Sequence, residues 1–459
     1  GLPSNLFTNT GIPVVVMVLK KNRNIGDPVL VIDASHSFIK VGKQNVLEEK
    51  DIAKIVDTYS NRMEIPGYSH LATREEIIDN DYNMNIPRYV ESIDSEIPHD
   101  VDAHILGGIP QKNIEELSVL NLSVPDILDN SLNPIRPGYV ELINSIDDLT
   151  EEVLRDSRII NKTNEVAAKS EEYISKYWDS LRNVTRPTDI LQLREDMLDE
   201  IKQLLSEFEF IDVYDGYQII ADIWKEALTH DIELIAASDF YTVARTREPN
   251  MVTKGTGKNK REEQDGWVGS IIPNELIAER LYTEELNEIE SKQSRVQEVD
   301  IELSELVEAA KVEDTDENNA LYEAIKKNEE DEPQDSFENK TVKAELKNAT
   351  KGTIEYDLLK NVDESLTEKA MLGKAIKAEE KSLKEKVYDR ILNLTDEEID
   401  SLVHEKWFGN TVTDLVNLVA IPLKVELRTL DMLNKRYANT LSEIDIKIRD
   451  LEDAFETLM

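Results

Sequence analysis

The pattern of apolar and polar positions divides the chain into three stretches. Near the start, Val14-Val15-Val16-Met17-Val18-Leu19 is a continuous apolar run rich in β-branched residues. Lys20-Lys21-Asn22-Arg23 and Gly26-Asp27-Pro28 then supply turn chemistry, and Val29-Leu30-Val31-Ile32 is a second run. Continuous rather than alternating apolarity predicts strands covered on both faces, as in α/β sheets. A connection of only about nine residues predicts antiparallel neighbours, because a parallel crossover needs a dozen or more. Ile52, Ile55, Val56 and Tyr59 fall at helical spacing between Glu48 and Arg62, and Thr73-Arg74-Glu75-Glu76 has the capping-box form that opens a short helix. This first stretch, residues 1–98, starts with strands and adds helices.

The second stretch, residues 99–274, holds helical segments broken by Pro110, Pro125, Pro134, Pro137 and Pro187. Helices are predicted over Asp148 to Arg182 and Leu191 to Phe208, then over Tyr217 to Leu228 with Ile219, Ile220, Ile223, Trp224 and Leu228 on one face. A loop at 244–266 carries Arg245, Arg247, Lys254, Lys258, Lys260 and Arg261 around Gly255 and Gly257. The third stretch, residues 275–459, is charged helix. Ile289, Val296, Val299, Leu303, Leu306 and Ala310 keep a 3-4 spacing interrupted by Lys292. Leu423, Leu427, Leu430, Tyr437, Leu441, Ile444, Ile448, Leu451, Phe455 and Leu458 keep it over about five heptads, with Asn434 the polar exception. Two long coiled-coil-like helices packed as an antiparallel pair are expected. Between them, Val312 to Asn339 is acidic and poor in apolar residues, and reads as a solvated tip. Thr395-Asp396-Glu397-Glu398 is a second capping box.

Charge and composition narrow what such a chain does. With 94 Asp+Glu against 53 Lys+Arg, a formal charge of -41 repels a phosphate backbone over most of the surface. Nucleic-acid contact is therefore local or supplied by a partner, and the basic stretch Arg245 to Arg261 is a candidate for meeting phosphate or an acidic partner face, with a merely solvated loop as the alternative. The absence of Cys removes disulfides, thiolate zinc sites and Cys nucleophiles, and fits a reducing, cytoplasmic setting. The longest apolar runs fall far short of the ~20 residues of a membrane span. Opening on Gly1-Leu2-Pro3 with no leader, the chain reads as the downstream part of something longer.

Self-sufficient chemistry is not found. There is no Gly-x4-Gly-Lys-Ser/Thr, no strand-Gly-x-Gly-x-x-Gly-helix, and His404-Glu405 lacks the second His of a zinc-protease helix. The 6 His are scattered without ligand spacing and read as surface or structural residues, so no metal is expected. Gly255-Thr256-Gly257 reads as a loop rather than a nucleotide cradle. A freestanding coiled-coil scaffold without enzymatic activity is one reading that the long seams allow.

The opening supports another reading. Gly1-Leu2-Pro3-Ser4-Asn5-Leu6-Phe7-Thr8-Asn9-Thr10-Gly11-Ile12-Pro13, the apolar run, Lys20-Lys21-Asn22-Arg23 and Val29-Leu30-Val31-Ile32-Asp33-Ala34-Ser35, followed by Asn80-Asp81-Tyr82-Asn83-Met84-Asn85-Ile86-Pro87-Arg88-Tyr89-Val90, resemble the modification subunit of type I restriction-modification systems. The resemblance continues through His104-Ile105-Leu106-Gly107-Gly108-Ile109-Pro110, Tyr214-Asp215-Gly216-Tyr217-Gln218, Gly266-Trp267 and Glu405-Lys406-Trp407. It implies that 1–98 is the end of a catalytic domain, contributing the last strands of a Rossmann-like sheet. A helical domain at 99–274 and a helical assembly domain at 275–459 follow. The implied activity is methylation of the adenine exocyclic amine with S-adenosylmethionine. The implied partners are a specificity subunit, restriction subunits and a second modification subunit, with DNA reached through the complex.

The sequence departs from that family in two places. The donor loop, an acidic-Pro/Ala-x-Gly-x-Gly turn, and the catalytic Asn-Pro-Pro-aromatic tetrapeptide are both absent here. Asn133-Pro134-Ile135 is followed by no aromatic and reads as a turn. The tetrapeptide holds the amine of an extruded base under a stacked aromatic, so no catalytic residue is assigned, and no cofactor or methyl transfer is expected for this chain alone. Phe7 matches the position that packs on the flipped base, with a core aromatic as the alternative. Asn83, Asn85 and Arg88 are candidates for DNA or cofactor-side contacts, although Asn also serves turns. Ile448, Leu451 and Phe455 are expected to carry an interface with a partner subunit.

Overall fold

The computed structural model describes the chain apart from residues 9, 25, 92–96, 255–259, 313–315, 330–331, 442–445, 450 and 452–459. Contacts gather it into two units, residues 1–236 with 407–459 and residues 237–406. Helix dominates, and the described sheets are small and antiparallel. Among the described residues no helix is long and apolar enough to cross a membrane.

In the first unit Val29–Ile32 is a strand, as its apolar run predicts. Its neighbour is Ser69–Ala72, antiparallel, with Val31 opposite His70. The expected partner, Val14 to Leu19, is not a strand: Val14 makes one bridge to Leu2, and Val15 through Leu19 are exposed, Leu19 at 85%. Continuous apolarity marks a segment that needs cover, but the choice of strand partner is non-local and does not follow from proximity in the chain. Behind the strand pair Val31, Ala72, Tyr89 and Val90 form a small core with Val29, Ile77 and Ile86 against it. Both predicted helices form. Glu49–Asn61 is capped reciprocally by Glu48 and Asp51, and Arg74–Asp79 by Thr73 and Glu76. The Ser69–Ala72 strand is braced by His70, whose Nδ1 lies 2.5 Å from Glu64 Oε1 and whose Nε2 lies 3.0 Å from the Glu76 carboxylate. The hydrogen bond to Glu76, reinforced by Glu64, raises the imidazole pKa above its ordinary value.

The helical part follows its apolar stripes, with one difference. The single helix expected over Asp148 to Arg182 is two, Ile146–Arg155 and Ser157–Arg182, because the Asp156 carboxylate accepts the Arg158 N–H and starts the second. Ile190–Ser206 and Val213–Ile223 complete a core containing Met197, Leu198, Ile201, Leu205 and Ile220. Asn133-Pro134-Ile135 is not a turn. It lies in the strand Leu132–Arg136, paired with Tyr139–Leu142, where Pro134 sits at a register shift that tolerates its missing N–H.

The chain returns to this unit at Trp407. The buried indole donates to Asp231 Oδ2 at 2.8 Å and packs edge-on against Trp178. Ala420–Tyr437 then packs on the helices Val101–Leu106, Ser118–Ser123 and Ile146–Arg155. Its Glu426 carboxylate accepts the N–H groups of Val119 (3.0 Å) and Leu120 (2.8 Å), capping a helix N-terminus that has no cap of its own.

The expected pairing of the two seams is therefore corrected. In the second unit Thr283–Val312 lies against Ile354–Ile391. Lys292, which interrupts the apolar stripe, reaches Glu379 at 2.6 Å, Arg295 reaches Glu368 at 2.8 Å, and Lys386 reaches Glu285 at 3.1 Å. Complementary charges flanking a seam choose the partner, which the stripe alone does not. The expected solvated tip is corrected as well: Leu321, Ile325, Phe337 and Val342 are buried with Val307, Ala310, Leu359 and Val362. A few apolar residues suffice once they converge on the end of an existing seam. Within the expected loop at 244–266, Arg247–Lys254 pairs antiparallel with Arg261–Gly269 as a ribbon, while Gly255-Thr256-Gly257 lies outside the described residues.

Two outcomes are expected. Trp407→Phe keeps the ring contact but removes an indole donor from buried Asp231, and should cost about 1–3 kcal/mol in denaturant titrations. A loss no larger than that of an exposed control substitution would sink the assignment. For His70, the raised folded pKa means that the stabilisation is complete below the unfolded value of about 6.5 and disappears as pH rises through the folded value. His70→Gln should therefore destabilise by about 0.5–1 kcal/mol at pH 6, after allowing for solvent screening, and by almost nothing at pH 9. An NMR titration that placed the imidazole at or below the ordinary histidine value would overturn this.

Candidate functional site

The densest motif in the first 97 residues, Asn80 to Val90, is built as a tight reversal after the Arg74–Asp79 helix. Asn80 closes that helix, its side chain donating to Glu76 O at 2.9 Å. Asp81 and Tyr82 follow in the left-handed region, φ 55 and 58, and Tyr82 is 69% exposed. The Asn83 side-chain oxygen accepts the Asn85 N–H at 3.0 Å, an Asx turn, and its carbonyl accepts the Tyr89 hydroxyl at 2.7 Å. Arg88 donates to Asn80 Oδ1 at 3.3 Å, and Ile86–Arg88 is a single 3-10 turn that delivers Tyr89 and Val90 to the core. Asn83 thus builds the turn, while the side chains of Asn85 and Arg88 stay exposed on its outer surface. Tyr82 was not singled out from the sequence. Two successive non-glycine residues at positive φ beside an exposed aromatic are a mark of strain that functional loops often carry.

Phe7 stands on the turn closed by the Thr10 N–H to the Phe7 carbonyl, 3.2 Å, and is 56% exposed. It is not a core aromatic. The run Val15 to Leu19 is exposed as well.

Tyr214 to Gln218 forms the joint between the first 97 residues and the helical part. Lys50 pairs with Asp215 at 2.9 Å and its backbone N–H donates to Gln218 Oε1 at 2.9 Å. Lys202 pairs with Asp57 at 2.8 Å, and the Tyr214 hydroxyl donates to Asp57 at 3.2 Å. Burial, with Asp57 beside it, pushes the Tyr214 phenol well above its ordinary pKa and keeps it a donor. Gly216 is there for space, since a Cβ would lie 2.0 Å from Leu205 Cδ1.

The basic residues of the hairpin separate into two groups. Arg245 donates to Leu394 O at 2.8 Å and pairs with Asp396; Arg247 donates to Tyr388 O and stacks 4.8 Å over the Trp267 ring. Both are engaged at the hairpin base. Lys254, Lys260 and Arg261 are exposed at its far end, and Lys258 lies outside the described residues. At the C-terminal helix Ile448 is 47% and Leu451 70% exposed; Phe455 lies outside the described residues. The histidines are less scattered than their spacing suggests. His99 Nδ1 and His104 Nε2 are 2.8 Å apart, with His104 edge-on to Tyr437. No group of three metal-ligating side chains occurs among the described residues.

The N-6 DNA Methylase family matches residues 1–97. The methylase subunit of the type I restriction enzyme MpnII of Mycoplasma pneumoniae is 32% identical over 145 residues, 32% of this chain and 24% of that protein. That of MjaVII from Methanocaldococcus jannaschii is 36% identical over 145 residues, 30% of this chain and 23% of that protein. A crystal structure of a type I restriction-modification methyltransferase subunit from Streptococcus thermophilus shares 49% identity over 20% of each chain, with a TM-score of 0.20. The matches thus span about a quarter of the curated relatives' length. Residues 1–97 are thus similar to the N-6 DNA methylase family, in a chain that resembles, over about a third of its length, the methylase subunits of type I restriction enzymes.

Proposed function

We propose that the chain is the C-terminal portion of a type I modification subunit, which in its complete form methylates adenine N6 in DNA with S-adenosylmethionine. The observation that carries this reading is the exposed apolar run Val15 to Leu19, which lies within the residues that match a methylase family. Such a run needs the cover of a larger sheet, and the Rossmann-like sheet of a methyltransferase provides it. The same match weighs against a freestanding coiled-coil scaffold.

The residues present do not fit the cofactor by themselves. The sequence contains neither donor loop nor tetrapeptide, and Asn133, the nearest approach to the latter, donates to Glu141 at 2.8 Å across a strand pair. No step of methyl transfer is assigned to these residues. What the chain contributes on this reading is placement. On this reading Phe7, exposed on its turn, stacks on an extruded base, and Asn85 and Arg88, exposed elsewhere in residues 1–97, offer polar contacts. The helical parts connect the catalytic domain to specificity, restriction and second modification subunits. Ile448 and Leu451, exposed as Leu441 one heptad before Ile448 is, supply an apolar helix face for the specificity subunit.

Calorimetry on this chain should detect no S-adenosylmethionine binding, and micromolar affinity would overturn the division of labour. In a modification subunit that includes the donor loop, Phe7→Ala should lower turnover by roughly 5- to 150-fold, the equivalent of ~1–3 kcal/mol of base stacking. Unchanged turnover would remove Phe7 from the base site. Changing Ile448, Leu451 and Phe455 to Ser should abolish co-purification with the specificity subunit while leaving the far-ultraviolet spectrum intact. Normal assembly of that variant would move the interface elsewhere.

A further inference from the structure

The hairpin Arg247–Lys254/Arg261–Gly269 has no part in the roles above. Its base is fixed. Arg247 is clamped between Tyr388 O and the Trp267 ring, Asn274 Nδ2 donates to Trp267 O at 2.7 Å, and Gly266, at φ 80, lets Tyr388 approach so closely that a Cβ would sit 2.2 Å from its hydroxyl. Beyond that base the ribbon is uncovered: Met251, Thr253, Lys254 and every residue from Arg261 to Asp265 are exposed. Strands of this length reach about 25 Å. A two-stranded ribbon without a buried face is marginal on its own, so the anchored base is what maintains it.

The register supplies a second observation. Lys254 stands directly opposite Arg261, with Lys260 next to it, while Glu262 and Glu263 face Thr253 and Val252. Like charges opposed across a ladder destabilise it, and a shift of one residue would have set Lys254 against Glu262. The Arg261–Glu263 pair, 3.3 Å and solvent-exposed, offsets little of this. In a chain of net charge -41, three cations are thus gathered at the far end of a ribbon anchored at its base.

We propose that Lys254, Lys260 and Arg261 contact the phosphate backbone of double-stranded DNA, with the ribbon seated along a groove. An anion between the opposed cations relieves their repulsion, and a two-stranded ribbon has the width that a major groove admits. The proposal rests on the DNA-methylase reading for the identity of the polyanion. It gives an acidic protein a local means of reaching DNA through contacts that carry no sequence preference.

The test uses the full 459-residue chain and a fluorescent 30-bp duplex of random sequence, by anisotropy across a potassium chloride series. Replacing Lys254, Lys260 and Arg261 with Ala should weaken binding by about tenfold or more at low salt and flatten the slope of log affinity against log salt by about two to three, one counterion per lost contact. Lys260→Glu, outside the ladder register, should weaken binding without disturbing the hairpin, as judged by unchanged Trp267 fluorescence. Failure of the unaltered chain to bind duplex at low salt, or an unchanged slope in the triple variant, overturns the proposal. Retained duplex affinity with lost capture of the specificity subunit also overturns it and makes the surface a protein contact. Failure of the methylase reading has a different signature: a reconstituted complete assembly, hairpin intact, that transfers no methyl group to adenine.

Discussion

The buried hydrogen bond from Trp407 to Asp231 is the constraint on which the architecture turns. The chain leaves its first unit near Ala236 and comes back at Trp407, and such a return is stable only where non-local contacts outweigh the entropy of closing a long loop. A fully buried carboxylate is costly without donors. The indole is a donor-only group with a large apolar body, so one side chain meets the carboxylate and fills the core beside Trp178. Once that point is held, Ala420–Tyr437 lies across three short helices, and Glu426 completes the capping of one of them.

The motifs that the sequence offers beyond residue 97 mostly work at joints. Tyr214 to Gln218 receive the Glu49–Asn61 helix. Gly107 and Gly108, at φ 79 and 87, turn the chain into the Ile109–Pro110 strand, where a Cβ on Gly108 would lie 2.5 Å from Ile135. Gly266 admits Tyr388, Lys406 donates to Ile271 O at 2.7 Å, and Glu405 holds Arg280. Each is a close approach, or a polar contact that few other residue types satisfy. A motif spread over a whole chain can therefore record how its parts are fastened rather than where chemistry occurs.

Charge acts at two ranges. At short range, opposite charges flanking the Thr283–Val312 seam select Ile354–Ile391 as its partner. At long range the excess of carboxylates disfavours contact with a polyanion over most of the surface, which makes a local gathering of cations informative. Of the basic residues between 245 and 261, the structure binds Arg245 and Arg247 internally and leaves Lys254, Lys260 and Arg261 outward. Residue type alone cannot make that distinction.

By itself the sequence determined what depends on neighbours in the chain: most of the helices, both capping boxes at Thr73 and Thr395, the strand Val29–Ile32 and the motifs of a methylase segment. Period and cap chemistry are local, so they are legible without a fold. Only the tertiary structure decided which strand covers Val29–Ile32, which helix faces the Thr283–Val312 seam, that Leu321, Ile325 and Phe337 join a core, and that Asn133 belongs to a sheet. The candidate site divides in the same way. Phe7 and the Asn80 to Val90 turn were legible as motifs, whereas the exposure of Phe7, the strained backbone at Tyr82 and the opposition of Lys254 to Arg261 arise from turn geometry and strand register. Pairing joins residues far apart in the chain, and its energy depends on the partner's face and charge, which no single segment encodes.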